Sequence, residues 1–311
     1  MFNISMMHII SGKQFADKNL LDKIFAKALE LEQADLNGGM PKLLAGKVVA
    51  TLFYESSTRT RLSFESAAIK LGAGVISMAD SKTSSASKGE SIEDSIKVVS
   101  GYSDIVVLRH PENGSAQLAS QNSSVPVINA GDGYNEHPTQ ALYALYTSQN
   151  ELGKIDGVKI AFFADMRYQR NIHSLMLMFG AYKNLKLFLV GPKELALPKE
   201  YKDQLLNTGI VFEEMENFDS ILGEIDVLYV ARVFKERFSN ELEYEKLKKA
   251  FFVDLNTMSK MKPKSIVLHV MPRIFEIDPA VDQDSRSAYF RQAKNGLYVR
   301  ASLLLYALGL F

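Results

Sequence analysis

Between the apolar run GKVVATLFY, which starts at Gly46, and a helical pattern running from Arg61 to Leu71 lies Glu55-Ser56-Ser57-Thr58-Arg59-Thr60. Ser57 or Thr58 can cap that helix, which leaves its first backbone N–H groups pointing outward. Ser57, Thr58 and Thr60 bring hydroxyls to the same partial positive charge, and Arg59 brings a guanidinium. Open N–H groups, a favourable dipole and a forked cation together suit a phosphate. A plain capped helix with surface arginines has the same local sequence. The pattern GxxxxGK[ST] is absent, so this is not a P-loop.

Three further polar groups follow apolar runs. DSKTSSASKGES, from Asp80 to Ser91, reads either as a solvated loop or as a mobile lid that brings Lys88 and a serine onto a charged ligand. Arg109-His110-Pro111 ends the run that starts at Asp104 and faces the same edge as Arg59. His137-Pro138-Thr139-Gln140 opens another helix, with Pro138 in its favoured first-turn place. His137 can donate a hydrogen bond to a carbonyl oxygen that gains charge in a transition state, or it can serve as a structural cap.

The second half of the chain repeats the arrangement with more arginine. Asp165-Met166-Arg167-Tyr168-Gln169-Arg170 follows KIAFFAD, with His173 in the helix beyond; Arg232-Val233-Phe234-Lys235-Glu236-Arg237 follows DVLYVA, and Met271-Pro272-Arg273 follows SIVLHV. Cleft-lining arginines need anions or carboxylate partners. Asp165, Glu236 and Glu55 can supply some as structural pairs. The surplus of cations points to a substrate with more than one carboxylate. No two of the 5 histidines make a metal pair with a carboxylate at ligand spacing, and LGAG at Leu71 lacks the dinucleotide spacing. No metal and no cofactor are expected.

The elements that must hold these residues are short Val-, Ile- and Phe-rich runs from Gly46, Asp104, Val125, Lys159, Lys186, Asp226 and Ser265. Each is apolar at consecutive positions, as a strand covered on both faces is. Amphipathic stretches at Arg61–Leu71, Ser91–Ser100, His137–Gln149 and Asn171–Ala181 lie between them. The alternation predicts an α/β chain of two domains, each a parallel sheet flanked by helices. ELGKIDG, from Glu151 to Gly157, is the expected boundary, with the first domain over 1–150 and the second over 151–289. Ser285 to Leu310 reads as one or two terminal helices broken near Asn295-Gly296. Polar clusters beyond apolar runs are where open parallel sheets bind ligands. A phosphorylated donor is expected on the first domain and a carboxylate-rich acceptor on the second, with the reacting atoms in a crevice.

Composition narrows the function classes. The 311 residues carry 36 Lys plus Arg against 36 Asp plus Glu, which removes the electrostatic case for nucleic acid. With no cysteine, disulfides and thiolate chemistry are excluded. The N-terminus lacks a signal-peptide pattern and no apolar run reaches the ~18–20 residues of a membrane span, so a cytoplasmic protein is the expectation.

The segments FYESSTRTRLSFESAAIKLGA, SSASKGES, VLRHP, NAGDGYNEHPTQAL, DMRYQRNIHS, ARVFKER, LHVMPR and YFRQAKNGLYVRASLLLYAL stand in one order from about His8 to Leu308. In this the sequence resembles the aspartate/ornithine carbamoyltransferase family. STRTR with HPTQ is specific to transcarbamoylases, and HVMP in place of an HCLP-type segment favours the aspartate branch. The resemblance implies that Ser57, Thr58, Arg59, Thr60, Arg109, His137 and Gln140 hold carbamoyl phosphate, with Thr60, Arg109 and His137 near the carbamoyl oxygen. It implies a homotrimer in which Ser84 and Lys88 come from the neighbouring subunit, Lys88 reaching aspartate as well. Arg170, Arg232 and Met271 are then the aspartate ligands, Arg273 lies in a segment that positions aspartate, and Glu55 and Arg237 act in domain closure, Glu55 pairing with second-domain arginines. The terminal helix, 290–311, is implied to complete the first domain. Some members bind regulatory chains, so these are possible partners. The implied reaction is carbamoyl transfer to the α-amino group of L-aspartate in pyrimidine synthesis.

Four positions depart from the family pattern. Phe234 stands where Gln is common, Val270 where a proline is common, Gln169 where Gly is common, and Ser87 where a second lysine sometimes stands. The donor set is intact and the acceptor set is altered, so weaker or shifted aspartate use is an expectation. A lost hydrogen bond to a charged group is worth ~1.5–3 kcal/mol. The rival readings are a transcarbamoylase for another acidic amine and a non-catalytic trimer partner. The latter predicts loss of Arg59, Arg109, His137 or Lys88, all of which are present.

Overall fold

The computed structural model describes residues 7–83, 85–232, 244–245 and 252–311. The calls on Ser84, Phe234, Lys235, Glu236 and Arg237 lie outside the described residues. Contacts divide the chain into two units, 1–143 with 293–311, and 144–292.

The first unit opens with helix α1 (Lys18–Leu36) and then alternates strand and helix: β1 (Val48–Phe53), α2 (Thr58–Lys70), β2 (Gly74–Met78), α3 (Ile92–Ser100), β3 (Ile105–His110), α4 (Ser115–Asn122), β4 (Val127–Asp132) and α5 (Pro138–Leu152). The strands form one parallel sheet in the order β2-β1-β3-β4. The central β1 and β3 are buried over Val49–Phe53 and Ile105–Leu108, which is why their sequences are unbroken apolar runs. One face carries a cluster of Ala50, Leu52, Ile96, Val106, Leu108 and Ala119. β2 is an edge strand with Gly74, Ile76 and Ser77 exposed.

The second unit contains β5 (Lys159–Phe163), α6 (Arg170–Met178), β6 (Lys186–Val190), α7 (Lys199–Asn207), β7 (Val211–Met215), β8 (Val227–Val230), α8 (Leu255–Lys260) and β9 (Ile266–His269). Its sheet is parallel in the order β7-β6-β5-β8-β9. β7, with the sequence VFEEM, is an edge strand that no sequence signal marked, because its carboxylates break the apolar run. Glu213 and Glu214 there meet Lys186 and Lys202 at 2.8 and 2.6 Å.

Helix α9 (Tyr289–Ala307) is continuous through Asn295 and Gly296, against the expected break. The glycine serves packing: a Cβ at Gly296 would stand 3.1 Å from both the Arg300 guanidinium and the Tyr143 ring. From Ala293 onward α9 belongs to the first unit. There Ser302 donates to the Ile24 carbonyl (2.9 Å) and Tyr298 reaches Asp35 (3.4 Å). The contact boundary in α5 falls at Tyr143/Ala144, ahead of ELGKIDG. Past that point Ala144, Leu145 and Ser148 line one small apolar cavity with Ile160, Phe162 and Tyr229 of the second unit. No helix among the described residues is long and apolar enough to cross a membrane.

Candidate active site

Strand order decides which loops meet. In the first sheet β1 sends its chain to β2 on one side while β3 and β4 lie on the other, so the topological switch point is between β1 and β3. In parallel sheets ligands bind beyond the carboxyl ends at such a point. One loop there begins with Tyr54-Glu55, and the other follows Arg109-His110, the last residues of β3. Phe53 is in register with Arg109, and the Tyr54 N–H donates to the Arg109 carbonyl at 2.8 Å.

Ser57 is the N-cap of α2, extended at φ −156°, ψ 93°, and its side chain makes no capping hydrogen bond. The first bond of the helical ladder runs from Arg61 N–H to Ser57 C=O at 3.1 Å, so the backbone donors of 58–60 lie ahead of the ladder. Arg59 and Thr58 are exposed and Thr60 is buried. A helix start of this kind, with hydroxyls and a guanidinium around it, suits an anion.

Arg109 is largely buried and donates to the Ala130 carbonyl at 3.3 Å. Its second terminal nitrogen meets Glu55 Oε2 at 2.9 Å. Glu55, for which pairing with second-domain arginines is expected, therefore forms an ion pair inside its own unit. His110 packs its ring on Tyr54, centroids 4.9 Å apart, and burial holds its imidazole below the ordinary histidine range.

His137 is buried, and its carbonyl accepts from the Gln140 and Ala141 N–H groups at 3.1 and 3.2 Å. It thus starts α5 with Pro138 as the first helical residue. The loop before it is fixed by two carboxylates that the sequence reading did not single out. Asp132 accepts from Gly114 N–H and from Asn129 and Asn135 at 3.1, 3.1 and 3.2 Å. Burial pushes its carboxyl up, and these bonds oppose that. Glu136 accepts from Ser11 Oγ (2.5 Å) and Gly12 N–H (2.7 Å). The clustered turn residues of NAGDGYNE were the available signal. Gly133 is obligatory there: its φ is +51° and a Cβ would stand 2.0 Å from Asn113 Oδ1. Gln140 is half-buried on the first turn of α5. Lys88 is exposed at the end of a single 3₁₀ turn, Ser85–Lys88.

In the second sheet the switch point is between β5 and β8. Arg170 starts α6 after β5, and Arg232 lies two residues beyond β8; both are half-buried. Gln169 joins the two loops by donating to the Arg232 carbonyl at 3.0 Å, which a glycine cannot do. Asp165, between β5 and α6, is fully buried. His173 is structural: its Nε2 lies 2.9 Å from the Met166 carbonyl and its ring stacks on Tyr201 at 4.3 Å.

Two arginines of the expected surplus have other partners. Arg167 is exposed and lies over the Tyr168 ring at 5.3 Å. Arg273 is gripped by Asp282, with Nη1 on Oδ1 and Nη2 on Oδ2, the latter at 3.0 Å. Asp282 also accepts from the Tyr289 hydroxyl, and burial with this bond pushes the Tyr289 phenol up to about 12. Arg273 thereby anchors the turn that carries Met271, whose φ is +50° and whose peptide to Pro272 is cis. The Met271 N–H donates to His269 Nδ1 at 2.9 Å. Among the described residues no three His, Asp or Glu side chains gather as a metal site.

Residues 7–150 match the family "Aspartate/ornithine carbamoyltransferase, carbamoyl-P binding domain" and residues 156–307 match "Aspartate/ornithine carbamoyltransferase, Asp/Orn binding domain". The aspartate carbamoyltransferase catalytic subunit of Methanocaldococcus jannaschii is 48% identical over 300 residues, 96% of this chain and 97% of that one. A crystal structure of the M. jannaschii catalytic subunit superposes with TM-score 0.91 at 46% identity, covering 98% of both chains. Aspartate transcarbamoylase from Trypanosoma cruzi in complex with N-(phosphonacetyl)-L-aspartic acid gives TM-score 0.91 at 33% identity, covering 98% of this chain and 96% of that one.

Proposed function

The chain belongs to the aspartate/ornithine carbamoyltransferase family, and from that premise we propose that it is an aspartate carbamoyltransferase. It moves the carbamoyl group of carbamoyl phosphate to the α-amino group of L-aspartate, giving N-carbamoyl-L-aspartate and phosphate. The observation that best supports this is the position of Arg59, Thr60 and Arg109 at the carboxyl ends of the two strands that flank the first switch point. Arg170 and Arg232 stand in the corresponding place in the second sheet.

In the reaction the amine lone pair attacks the carbamoyl carbon. The C–N bond forms, the C–O bond to phosphate breaks, and the ammonium proton leaves with the phosphate or with solvent. Thr60, Arg109 and His137 stabilise charge on the carbonyl oxygen. Ser57, Thr58, Arg59 and the open N–H groups of α2 hold the departing phosphate, and Gln140 completes that set. Arg170 and Arg232 hold the aspartate carboxylates, with Met271 beside them. Placing two mutually repelling anions in line supplies most of the rate. We further propose a cytoplasmic homotrimer in which Ser84 and Lys88 of a neighbouring subunit complete the site.

The test is steady-state transfer at saturating carbamoyl phosphate, with L-aspartate, L-glutamate, L-ornithine and close aspartate analogues titrated separately. Turnover with aspartate far above the other amines is expected. Preference for a different amine would replace aspartate as the substrate.

A further inference from the structure

Arg300 is a charged side chain inside the first unit. It is 3% exposed, on the part of α9 that packs against α2 and α5. Among the described residues no carboxylate pairs with it, and its Nε has no hydrogen-bond partner. Its guanidinium lies between two rings, 5.1 Å from the Phe64 centroid and 5.0 Å from that of Tyr143. Cation–π contact eases such burial but does not neutralise the charge.

Arg300 hydrogen-bonds the neutral Tyr143 hydroxyl, and a second polar contact points toward the proposed anion site. Nη1 donates to Ser63 Oγ at 2.5 Å. The Ser63 hydroxyl shares its proton between the carbonyls of Arg59 (2.7 Å) and Thr60 (2.9 Å). The chain of bonds therefore runs from a buried cation to the backbone of two residues in the first turn of α2. The space for it is kept by Gly296, whose missing side chain would meet the guanidinium. Burial drives the pKa of Arg300 down, and the Arg59 charge adds to that effect; burial also raises the Tyr143 phenol, which lies beside both cations. An uncompensated charge buried beside a second cation makes the site more receptive to a dianion.

We propose that Arg300 is a positioning residue of the phosphate subsite: it fixes the first turn of α2 through Ser63 and contributes a buried positive charge that only the bound phosphate group compensates. This rests on the carbamoyl phosphate reading of the same site. It differs from a packing role in its readout: Met in place of Arg keeps an unbranched apolar stem while removing charge and donor, and a packing loss alone lowers the melting temperature without moving the phosphate Kd.

The experiment measures the Kd of inorganic phosphate and the KM of carbamoyl phosphate for the wild type, Arg300→Met, Arg300→Lys and Ser63→Ala. Arg300→Met is expected to raise both constants at least about tenfold, the loss of one hydrogen bond to a charged group. The aspartate KM at saturating donor should stay within about twofold, a change worth well under 1 kcal/mol. The rise in melting temperature on adding phosphate should shrink in parallel. Arg300→Lys keeps the charge and should recover part of the affinity. Ser63→Ala, which cuts the link and leaves the charge, should weaken phosphate less than Arg300→Met does. A folded Arg300→Met with wild-type phosphate Kd overturns the proposal, even with a lowered melting temperature. If that variant does not fold, unchanged phosphate Kd in both Arg300→Lys and Ser63→Ala overturns it. Phosphate binding needs no turnover, so this outcome is separate from a wild type that binds phosphate and carbamoylates no amine.

Discussion

The Glu55 carboxylate lies 2.9 Å from the Arg109 guanidinium, at the carboxyl end of β3. Arg109 has a second anchor on the Ala130 carbonyl, so its aim does not depend on Glu55 alone. If carbamoyl phosphate binds there as proposed, a carboxylate in that place repels it. Glu55→Gln is expected to leave the Kd of carbamoyl phosphate unchanged or lower, by equilibrium dialysis. A marked weakening would mean that Glu55 is needed to aim Arg109.

His137 is buried at the start of α5, in a loop held by Asp132 and Glu136. His137→Ala is expected to lower kcat by about 10²–10³, the usual cost of one oxyanion donor. Carbamoyl phosphate affinity should change far less, since the proposed phosphate contacts lie mainly on α2. An equal loss in ground-state binding and in kcat/KM, with kcat intact, would assign His137 to binding alone.

Arg170→Ala should raise the aspartate KM by about 10–150-fold, equivalent to ~1.5–3 kcal/mol for a hydrogen bond to a charged group. The phosphate Kd should not move. A variant with unchanged aspartate KM would remove Arg170 from the acceptor site.

Arg273 and Asp282 form a bidentate pair in the turn after β9. The Arg273 hydrogen bond holds the Asp282 carboxyl below its ordinary value of 3.8. A depressed carboxylate adds stability that is present above the unfolded-state pKa and is lost as pH falls through the folded-state pKa. Asp282→Asn should therefore cost ~1.5–3 kcal/mol at neutral pH. The gap between variant and wild type should close as pH falls below about 4, near the ordinary carboxylate pKa. Calorimetric melts across that range check both. A gap that persists at low pH would show that packing, not charge, holds the turn.

Gly296→Ala sets two effects against each other. Ala in a helix interior gains ~1 kcal/mol over Gly. The new Cβ meets Arg300 and Tyr143 at 3.1 Å, and both are buried. Overpacking of that kind costs ~1–3 kcal/mol. Since both neighbours are buried, the melting temperature should fall, by about 2–4 °C per kcal/mol of net loss. A rise would mean that Tyr143 shifts freely.

The parts of the fold that were legible in sequence share a physical cause. β1, β3 and β5 are buried on both faces, so their residues are apolar in unbroken runs and the polar residues that end them stand out. β7 carries Glu213 and Glu214 because it lies at the edge, and that erased its signal. Gly296 read as a helix break, since a glycine placed for close packing and one placed for a turn are the same letter. Arg273 read as a spare cation because its partner Asp282 is brought to it only by the turn after Pro272.

The amino-acid sequence by itself determined the alternation of strands and helices, the cap-and-arginine segment at Ser57–Arg61, and the excess of arginine at the strand ends of the second half. Those follow from local burial and from residue chemistry, which act over a few positions. Strand order was decided only in the tertiary structure, as β2-β1-β3-β4 in one sheet and β7-β6-β5-β8-β9 in the other. That order sets the loop leading to Arg59 beside the Arg109 end of β3 across a switch point, and likewise brings together the Arg170 and Arg232 loops. It also brings Arg300, more than two hundred residues along the chain, behind the first turn of α2. Strand pairing and helix docking are long-range choices, made by total burial and backbone hydrogen bonding rather than by any local pattern.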